Sequence, residues 1–277
     1  MIDLYNMPLK DNEYIFLKNL VYEKIGINLT EKKKSLIENR LRKEIRKLGL
    51  KDFSQYCQYL KNEKSGQAIL TLADHISTNH TFFFRENDSF LYFYKNILPE
   101  IRKKSNILRI WSAGCSAGEE AYSIAMIVHD FNSGNMLFDD IGILATDISV
   151  SQLETAEKGY YSIEKMTDIP VNYKTKYLKK CKNFKENQNF QIKEYIKKMI
   201  LFKRFNLLDP FPFKGKFHVI FCRNVMIYFD DATRCQLIDK FYDFLYPDGY
   251  LLIGASEIVS RKASRFKYVK PAIYQKY

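Results

Sequence analysis

The sequence predicts an α/β domain preceded by an all-helical region, and two observations support this prediction. From about residue 11 to residue 90, apolar residues recur at helical spacing and strand-like alternation is absent. From residue 106 onward, short apolar runs typical of buried parallel strands alternate with helical patterns. At 277 residues, 46% of them hydrophobic, the chain is long enough for both parts to have packed cores.

The predicted domain boundaries follow from these patterns. We place a helical N-terminal domain at residues 1–90, a basic connecting helix or linker at 91–105, and the α/β domain at 106–277. A polar stretch at about residues 160–205 breaks the alternation of strands and helices. Its 13 basic against 4 acidic residues between positions 158 and 204 indicate an inserted surface subdomain, and parts of it could form a small antiparallel sheet.

The amino-acid composition limits the classes of binding partner and the cellular compartment that we expect. The net charge of +12 indicates an acidic partner, but it does not separate nucleic acid, an anionic membrane and an acidic protein surface. The five cysteines form no C-x-x-C pair, which argues against a disulfide framework or a zinc site. No signal peptide is recognisable, and no apolar run approaches the ~20 residues of a membrane span. We therefore expect a soluble cytoplasmic protein without a bound metal.

One helix of the N-terminal region, at about residues 30–49, is strongly cationic. Its apolar residues Ile37, Leu41, Ile45 and Leu48 line one face. Basic residues lie on another face: Arg40, Lys43 and Lys47, with Arg42 and Arg46 beside them. Two interpretations are open, a solvated face with internal Glu–Lys pairs or a docking surface for an acidic helix or a nucleic acid.

The stretch DHISTNHTFFFRENDSFLYF, residues 74–93, combines polar groups with aromatic residues. Its phenylalanines are more typical of a core than of ligand contacts. Asn79, Thr81 and Arg85 lie just ahead of the α/β domain, where this segment could close over a ligand.

The first strand of the α/β domain leads into SAGCSAG, residues 112–118, which exposes backbone to a nucleotide-like ligand. The glycine spacing is not G-x-G-x-x-G, and no Lys-Ser/Thr follows, so a pyrophosphate is not expected. Glu119 and Glu120 suit the positive end of the following helix but would repel a phosphate. A hydroxylated or cationic ligand is favoured, and an ordinary tight turn is the alternative.

Further strands should open on the same crevice. The stretch IGILATDIS, residues 141–149, contains a predicted buried strand that ends in Asp147. The carboxylate of Asp147 could accept hydrogen bonds from both ribose hydroxyls. The alternative is that Asp147 or Ser149 caps the next helix. A third strand, at 219–222, is followed by Arg223 and Asn224, and the C-terminal tail could end the sheet as an antiparallel edge.

Six blocks of the sequence together carry a family resemblance. They are STNHTFFFRE, WSAGCSAGEEAYSIA, ATDIS, FNLLDPF, FCRNVMIYFD and YPDGYLLIGASE. In this order they resemble the chemotaxis receptor methyltransferase family, CheR, from about residue 20 to the end. The resemblance implies a helical N-terminal domain joined to a class I S-adenosylmethionine-dependent methyltransferase (Rossmann-like) domain with a small inserted antiparallel β-subdomain.

The resemblance also implies a function, that of a protein-glutamate O-methyltransferase in sensory adaptation. Such an enzyme transfers a methyl group from S-adenosylmethionine to glutamate side chains in the cytoplasmic domain of membrane chemotaxis receptors. The products are glutamyl methyl esters and S-adenosylhomocysteine. A monomer is expected, binding no nucleic acid and reaching the membrane only through the receptor. Some members of the family bind a receptor C-terminal pentapeptide through a glycine-containing loop, which is not expected here because no glycine lies between Gly159 and Gly215.

Residue roles follow from the same resemblance. The transferred methyl is expected beside Arg85 and Tyr228. Cofactor contacts are implied for Asn79, Thr81, Arg85, Glu120, Asp147, Asn206, Leu207, Arg223 and Asn224. Receptor contacts are implied for Arg40, Lys43, Arg46 and Lys47.

Two other functions stay open. A nucleic-acid methyltransferase would suit a pI near 9.2, but the segment after Cys222 lacks the proline-aromatic motif that such enzymes use to stack a flipped base. A non-catalytic adaptor that binds receptors or senses S-adenosylmethionine is the second, and the presence of Arg85, Asp147, Asn224 and Tyr228 argues against it.

Overall fold

The computed structural model describes residues 7–77, 79–134, 137–181, 188–259 and 264–277. Two compact units are present. One comprises Met1–Thr78 with Tyr228–Thr233, and the other comprises Asn79–Ile227 with Arg234–Tyr277. Among the described residues, no helix is both long and apolar enough to cross a membrane.

The first unit is helical. Its helices are α1 (Asp11–Ile25), α2 (Lys34–Lys47), α3 (Phe53–Asn62) and α4 (Gln67–Ile76). The predicted apolar face of the cationic helix is confirmed for Ile37, Leu41 and Ile45, which are buried in α2. It is wrong for Leu48, which follows the last residue of the helix and is 37% exposed. Gly26 caps the C-terminal end of the first helix, with a left-handed φ of 80° and an N–H that donates to the carbonyl of Tyr22.

The second unit alternates helices and strands. Its helices are α5 (Asn87–Tyr92), α6 (Leu98–Lys104), α7 (Glu119–Phe131), α8 (Val150–Lys158), α9 (Val171–Tyr177), α10 (Glu194–Lys197) and α11 (Asp231–Phe244), the last beginning in the short segment assigned to the first unit. Its strands are β1 (Ile107–Ala113), β2 (Asp140–Asp147), β3 (Tyr160–Ser162), β4 (Leu178–Lys180), β5 (Gln188–Ile192), β6 (Ile200–Arg204), β7 (Phe217–Cys222), β8 (Leu245–Ile253), β9 (Lys267–Lys270) and β10 (Ile273–Gln275).

The main sheet has seven strands in the order β6-β2-β1-β7-β8-β10-β9. The first five run parallel, and β10 and β9 pair antiparallel at one edge. The predicted α/β architecture with an antiparallel C-terminal edge is confirmed. Because the carboxyl ends of β1, β2 and β7 meet at one edge, the residues that follow these strands are brought together there.

The insert forms a separate three-stranded antiparallel sheet in the order β3-β5-β4. The predicted extent of the insert, residues 160–205, is too long by one strand. Ile200–Arg204 instead pairs parallel with β2 at the edge of the main sheet. Only Ile200 and Phe202 are buried in this strand, so its sequence lacks the continuous apolar run of an inner strand.

The predicted boundary at residue 90 and the linker at 91–105 differ from the observed division, which groups residues 79–105 with the second unit. A π-helical turn, Phe93–Ile97, joins α5 to α6. Phe90 and Phe93 lie 5.9 and 5.3 Å from Phe221 between ring centroids. Helical spacing in the sequence indicates that Phe90 and Phe93 are buried, but it does not indicate whether they belong to the core of the first or of the second unit.

Trp111 is the centre of an aromatic cluster on β1. Its side chain is fully buried, and its ring lies within 6.2 Å of five phenylalanine rings, those of Phe205, Phe211, Phe213, Phe217 and Phe241. The indole Nε1–H donates to Thr146 Oγ1 at 2.9 Å. A single hydroxyl on β2 therefore satisfies the buried polar group of the largest core side chain.

Thr146→Val should destabilise the protein, because it keeps the side-chain shape and removes the acceptor of a buried indole N–H. We expect a loss of ~1–3 kcal/mol in the free energy of unfolding. Urea denaturation followed by the fluorescence of Trp111, the only tryptophan, measures it. Thr155→Val removes an exposed hydroxyl bond on α8 and should cost less than about 0.5 kcal/mol. Equal losses in the two variants would contradict the importance of the buried bond.

Candidate cofactor site

The turn between β1 and α7 has a constrained backbone. Gly114 and Gly118 have φ values of 89° and 94°, and Ser116 has a φ of 49°. The N–H of Gly114 donates to the carbonyl of Thr146 at 2.8 Å. A Cβ placed on Gly114 would lie 2.3 Å from Val225 Cγ2. Glycine is therefore required here by the close approach of the loop that follows β7.

Asp147 fastens this turn to the end of β2. One carboxylate oxygen accepts the N–H of Ser116 at 2.7 Å, and the other accepts the N–H of Ser149 at 2.9 Å. Ser149 caps α8, because its hydroxyl accepts the N–H of Gln152 at 3.2 Å. A carboxylate offers about four acceptor positions, so these two bonds by themselves do not prevent Asp147 from binding a ribose hydroxyl pair. Its contact with ribose stays a prediction.

The two acids at the start of α7 are paired with cations of the protein. Glu119 is fully buried and forms an ion pair with Lys165. Glu120 accepts a hydrogen bond from Ser112 Oγ at 2.7 Å and lies 3.4 Å from Arg223 Nη1. Burial raises the pKa of both carboxyl groups even with these cations nearby. Because the protein itself supplies positive charge beside these two acids, they do not by themselves favour a cationic ligand.

Arg223 joins segments that are far apart in sequence. Its guanidinium is 2% exposed and bridges Glu120 and Glu86, with Nη2 lying 3.2 Å from Glu86 Oε2. The same Nη2 donates to the carbonyl of Arg85, and the guanidinium lies 4.9 Å from the ring centroid of Phe90. Burial raises the pKa of Glu86, but the hydrogen bond from Asn224 and the charge of Arg223 outweigh it and leave this pKa below its usual value.

Two further glutamates of this network were not singled out from the sequence. Glu86 also accepts Asn224 Nδ2 at 3.2 Å and the N–H of Ala255 at 2.9 Å. Glu257, which is 6% exposed, accepts the N–H groups of Asn224, Ile227 and Gly254 at 3.0, 3.2 and 2.6 Å. These bonds hold Asn224 in a left-handed conformation with a φ of 60°.

Arg85 lies on a strained segment. Its neighbours Phe84 and Glu86 have φ values of 57° and 55°, which is uncommon for non-glycine residues. The N–H of Phe84 donates to Ser123 Oγ at 3.0 Å in the core. Arg85 Nη1 donates to the carbonyl of His80 at 2.8 Å, and its side chain is 29% exposed. The backbone on both sides is therefore fixed while the guanidinium still reaches solvent.

The remaining predicted cofactor contacts lie on two segments of the same unit. Asn79 and Thr81 are half-buried ahead of Arg85. Leu207 is buried, and Asn206 Oδ1 accepts the N–H of Leu208 at 3.1 Å in the chain that leaves β6. Their roles toward the cofactor stay predictions.

Tyr228 belongs to the first unit. Its carbonyl accepts the N–H of Asn28 at 2.8 Å, and its ring centroid lies 5.3 Å from Lys33 Nζ. Its predicted place beside the transferred methyl rests on the resemblance alone.

The predicted receptor contacts on α2 differ from one another. Arg40 Nη1 donates to the carbonyls of His75, Ile76 and Ser77 at 3.3, 2.8 and 3.2 Å, and so closes the C-terminal end of α4. Lys43, Arg46 and Lys47 are exposed, and Lys47 Nζ lies 3.7 Å from Glu44. A partner could therefore reach these three side chains on the first unit.

A mostly parallel seven-stranded sheet, a glycine turn after β1 and an acid at the end of β2 are typical of α/β domains that bind a nucleoside-containing cofactor. A family model described as the CheR methyltransferase SAM-binding domain matches residues 79–274, and one described as the CheR methyltransferase all-alpha domain matches residues 12–77. The chain belongs to the CheR methyltransferase family. The predicted family, fold class and cofactor are thereby confirmed.

Similar proteins span nearly the whole chain. A chemotaxis protein methyltransferase of Borreliella burgdorferi strain B31 is 44% identical over 277 residues, covering 98% of this chain and 96% of that protein. The probable chemotaxis protein methyltransferase of Rhizobium etli is 38% identical over 247 residues, covering 88% and 91%. The chemotaxis protein methyltransferase of Escherichia coli strain K12 is 31% identical over 276 residues, covering 97% and 92%.

Asp147→Asn should weaken cofactor binding, because it removes the charge that strengthens hydrogen bonds to a hydroxyl pair. We expect the Kd for S-adenosylhomocysteine to rise about tenfold or more, measured by calorimetric titration. Asp140→Asn is the matched control at the other end of β2, where the carboxylate pairs with Arg109 on the surface. Its Kd should stay within about twofold of wild type. Equal effects at the two ends of β2 would rule out the ribose contact.

Proposed function

We propose that this protein transfers methyl groups from S-adenosylmethionine to glutamate side chains in the cytoplasmic domain of membrane chemotaxis receptors. The products are glutamyl methyl esters and S-adenosylhomocysteine, and the reaction serves sensory adaptation. The observation that carries the proposal is near-full-length similarity to proteins named chemotaxis protein methyltransferase. We further propose that the enzyme acts in the cytoplasm as a monomer.

The chemistry of the site fits a cofactor without phosphate groups. Asp147 offers acceptor positions for hydroxyls, and the nearby cations Arg223 and Lys165 are already paired with glutamates. A phosphate would therefore find few available cations here. When bound, S-adenosylmethionine supplies an electrophilic methyl group on a sulfonium centre, which a carboxylate oxygen can attack directly.

The reaction needs placement of the substrate more than a general base. A glutamate has a reference pKa of about 4.3, so the attacking carboxylate is already ionised at neutral pH. Holding it in line with the methyl group can lower the barrier by ~7–11 kcal/mol. Arg85 suits this task, because the strained segment fixes its backbone and its Nη2 makes no hydrogen bond to the described residues. In this proposal the guanidinium orients the receptor carboxylate and removes no proton.

The cationic face of α2 supplies a contact for an acidic receptor helix. Lys43, Arg46 and Lys47 are the exposed candidates, and opposite charges on the partner would speed its association. Arg40 remains in the proposed surface, but its bonds to the end of α4 also give it a structural part.

Methyl transfer onto receptors tests the proposed function directly. With tritiated S-adenosylmethionine and receptor membranes, label should appear in receptor protein as base-labile methyl ester. Arg85→Ala should lower kcat about a hundredfold, the order expected for loss of a positioning contact, while the protein stays folded. Arg265→Ala, which removes a surface arginine paired with Asp243, should keep wild-type activity. Label in RNA, or no label at all, would contradict the function, and a fewfold loss in Arg85→Ala would contradict the role of Arg85.

Charge reversal on α2 should weaken receptor recognition alone. In Lys43→Glu/Lys47→Glu we expect the KM for receptor to rise about tenfold, because repulsion replaces attraction, with the Kd for S-adenosylhomocysteine unchanged. Lys51→Glu/Lys64→Glu changes the net charge equally at exposed positions outside α2. The same rise in this control would mean that only net charge matters and would refute the proposed surface.

A further inference from the structure

The inserted subdomain contacts the region of the turn between β1 and α7, called here the cofactor turn, through Lys165. This residue lies in the short 3-10 helix Ile163–Met166 that follows β3. Its ammonium forms an ion pair with Glu119, the first residue of α7, and it reaches across 46 positions of sequence to do so. The turn that runs from Gly114 to Gly118 ends immediately before Glu119.

Glu119 depends on this one cation. Its side chain is 0% exposed, whereas that of Lys165 is 40% exposed. Glu119 Oε2 is buried and accepts no hydrogen bond from the described residues. Burial raises the pKa of Glu119, and Lys165 is the cation that opposes this effect. Without Lys165, a carboxylate at the end of the turn would be buried with no charged partner, which is strongly unfavourable.

The insert contacts the turn at further points beside this ion pair. Tyr161, on β3, donates its hydroxyl to the carbonyl of Ala117 at 2.5 Å. Its ring packs edge-on against Phe83 at 4.9 Å between centroids. A Cβ on Gly118 would lie 2.8 Å from Ala156 Cβ and 3.1 Å from the Tyr161 hydroxyl. The second glycine of the turn is thus fixed by α8 and β3 together, and a shift of β3 would shift the turn.

We propose that Lys165 is a positioning residue for the cofactor turn, through which the inserted subdomain sets the affinity for S-adenosylmethionine. The inference rests on the proposed position of the cofactor at this turn. Lys165 need not touch the cofactor, since it acts by holding Glu119 and the start of α7.

A second ion pair between the insert and α7 distinguishes two possible roles of Lys165, positioning of the turn and simple attachment of the insert. Lys176, also in the insert, lies 2.9 Å from Asp130 at the C-terminal end of the same helix. Asp130 is eleven positions beyond Glu119, which places it ~16 Å farther along α7. Removing either lysine breaks one bond between the insert and α7, but only Lys165 adjoins the turn.

The experiment compares Lys165→Met with Lys176→Met. For Lys165→Met we expect the Kd for S-adenosylhomocysteine and the KM for S-adenosylmethionine to rise about tenfold, within the usual range of coupling between sites, with kcat within about twofold. For Lys176→Met both should stay within about twofold, although Tm falls in both variants. Lys165→Arg keeps the charge and should restore most of the affinity. An equal rise in Lys176→Met, or no rise in Lys165→Met, would overturn the proposal.

A double variant keeps the test decisive if Lys165→Met does not fold. Glu119→Gln/Lys165→Met carries no unpaired buried carboxylate, so it should fold with a Kd about threefold above that of wild type. A Kd equal to wild type would show that the ion pair does not position the turn. A Kd about tenfold or more above that of wild type would show that the unpaired carboxylate is not the cause. Either result would overturn the proposal.

Asp147→Asn belongs in the same titration. If it leaves the Kd unchanged, the proposed cofactor position itself fails, and the inference about Lys165 fails with it. If it raises the Kd while Lys165→Met does not, the cofactor position stands and only the role of Lys165 is refuted.

Discussion

The residues at the edge of the sheet where β1, β2 and β7 end are held in place by one buried cation, Arg223. Its guanidinium is 2% exposed and lies between the carboxylates of Glu86 and Glu120. An intact buried ion pair adds little net stability, but removing one partner costs ~3–5 kcal/mol, because the remaining charge is left buried. The segment ahead of β1, the start of α7 and the end of β7 are therefore held in one arrangement. The strained backbone around Arg85 persists because this network over-determines it.

Much of the fold could be predicted from periodicity. Helical spacing identified the first unit, and apolar runs separated by helical patterns identified the parallel sheet. Two features could not be predicted in this way. Phe90 and Phe93 have helical spacing but pack against Phe221 on β7, a contact that local sequence does not encode. The edge strand β6 buries only alternate residues, so its pattern resembles that of a small half-exposed sheet.

Residues of the candidate site could be predicted from the sequence where a polar residue lies at the carboxyl end of a predicted strand. Asp147 and Arg223 follow this rule, since polar residues at the carboxyl ends of β2 and β7 must meet at one edge. Glu86, Glu257 and Lys165 were missed because their roles come from partners distant in sequence. In a lysine-rich insert, the sequence alone gives no reason to distinguish Lys165 from lysines that are simply exposed to solvent. Its role becomes visible only from its ion pair with the buried carboxylate of Glu119.

We propose that the edge formed by the glycine turn and Asp147 holds the adenosyl group of the cofactor. A crystal structure of the complex with S-adenosylhomocysteine tests it most directly. The predicted result is a ribose whose hydroxyls lie ~2.6–3.2 Å from the Asp147 carboxylate, with the turn from Gly114 to Gly118 against the ligand. A ligand bound elsewhere, or a carboxylate that contacts only the N–H groups of Ser116 and Ser149 in the complex, would contradict the claim.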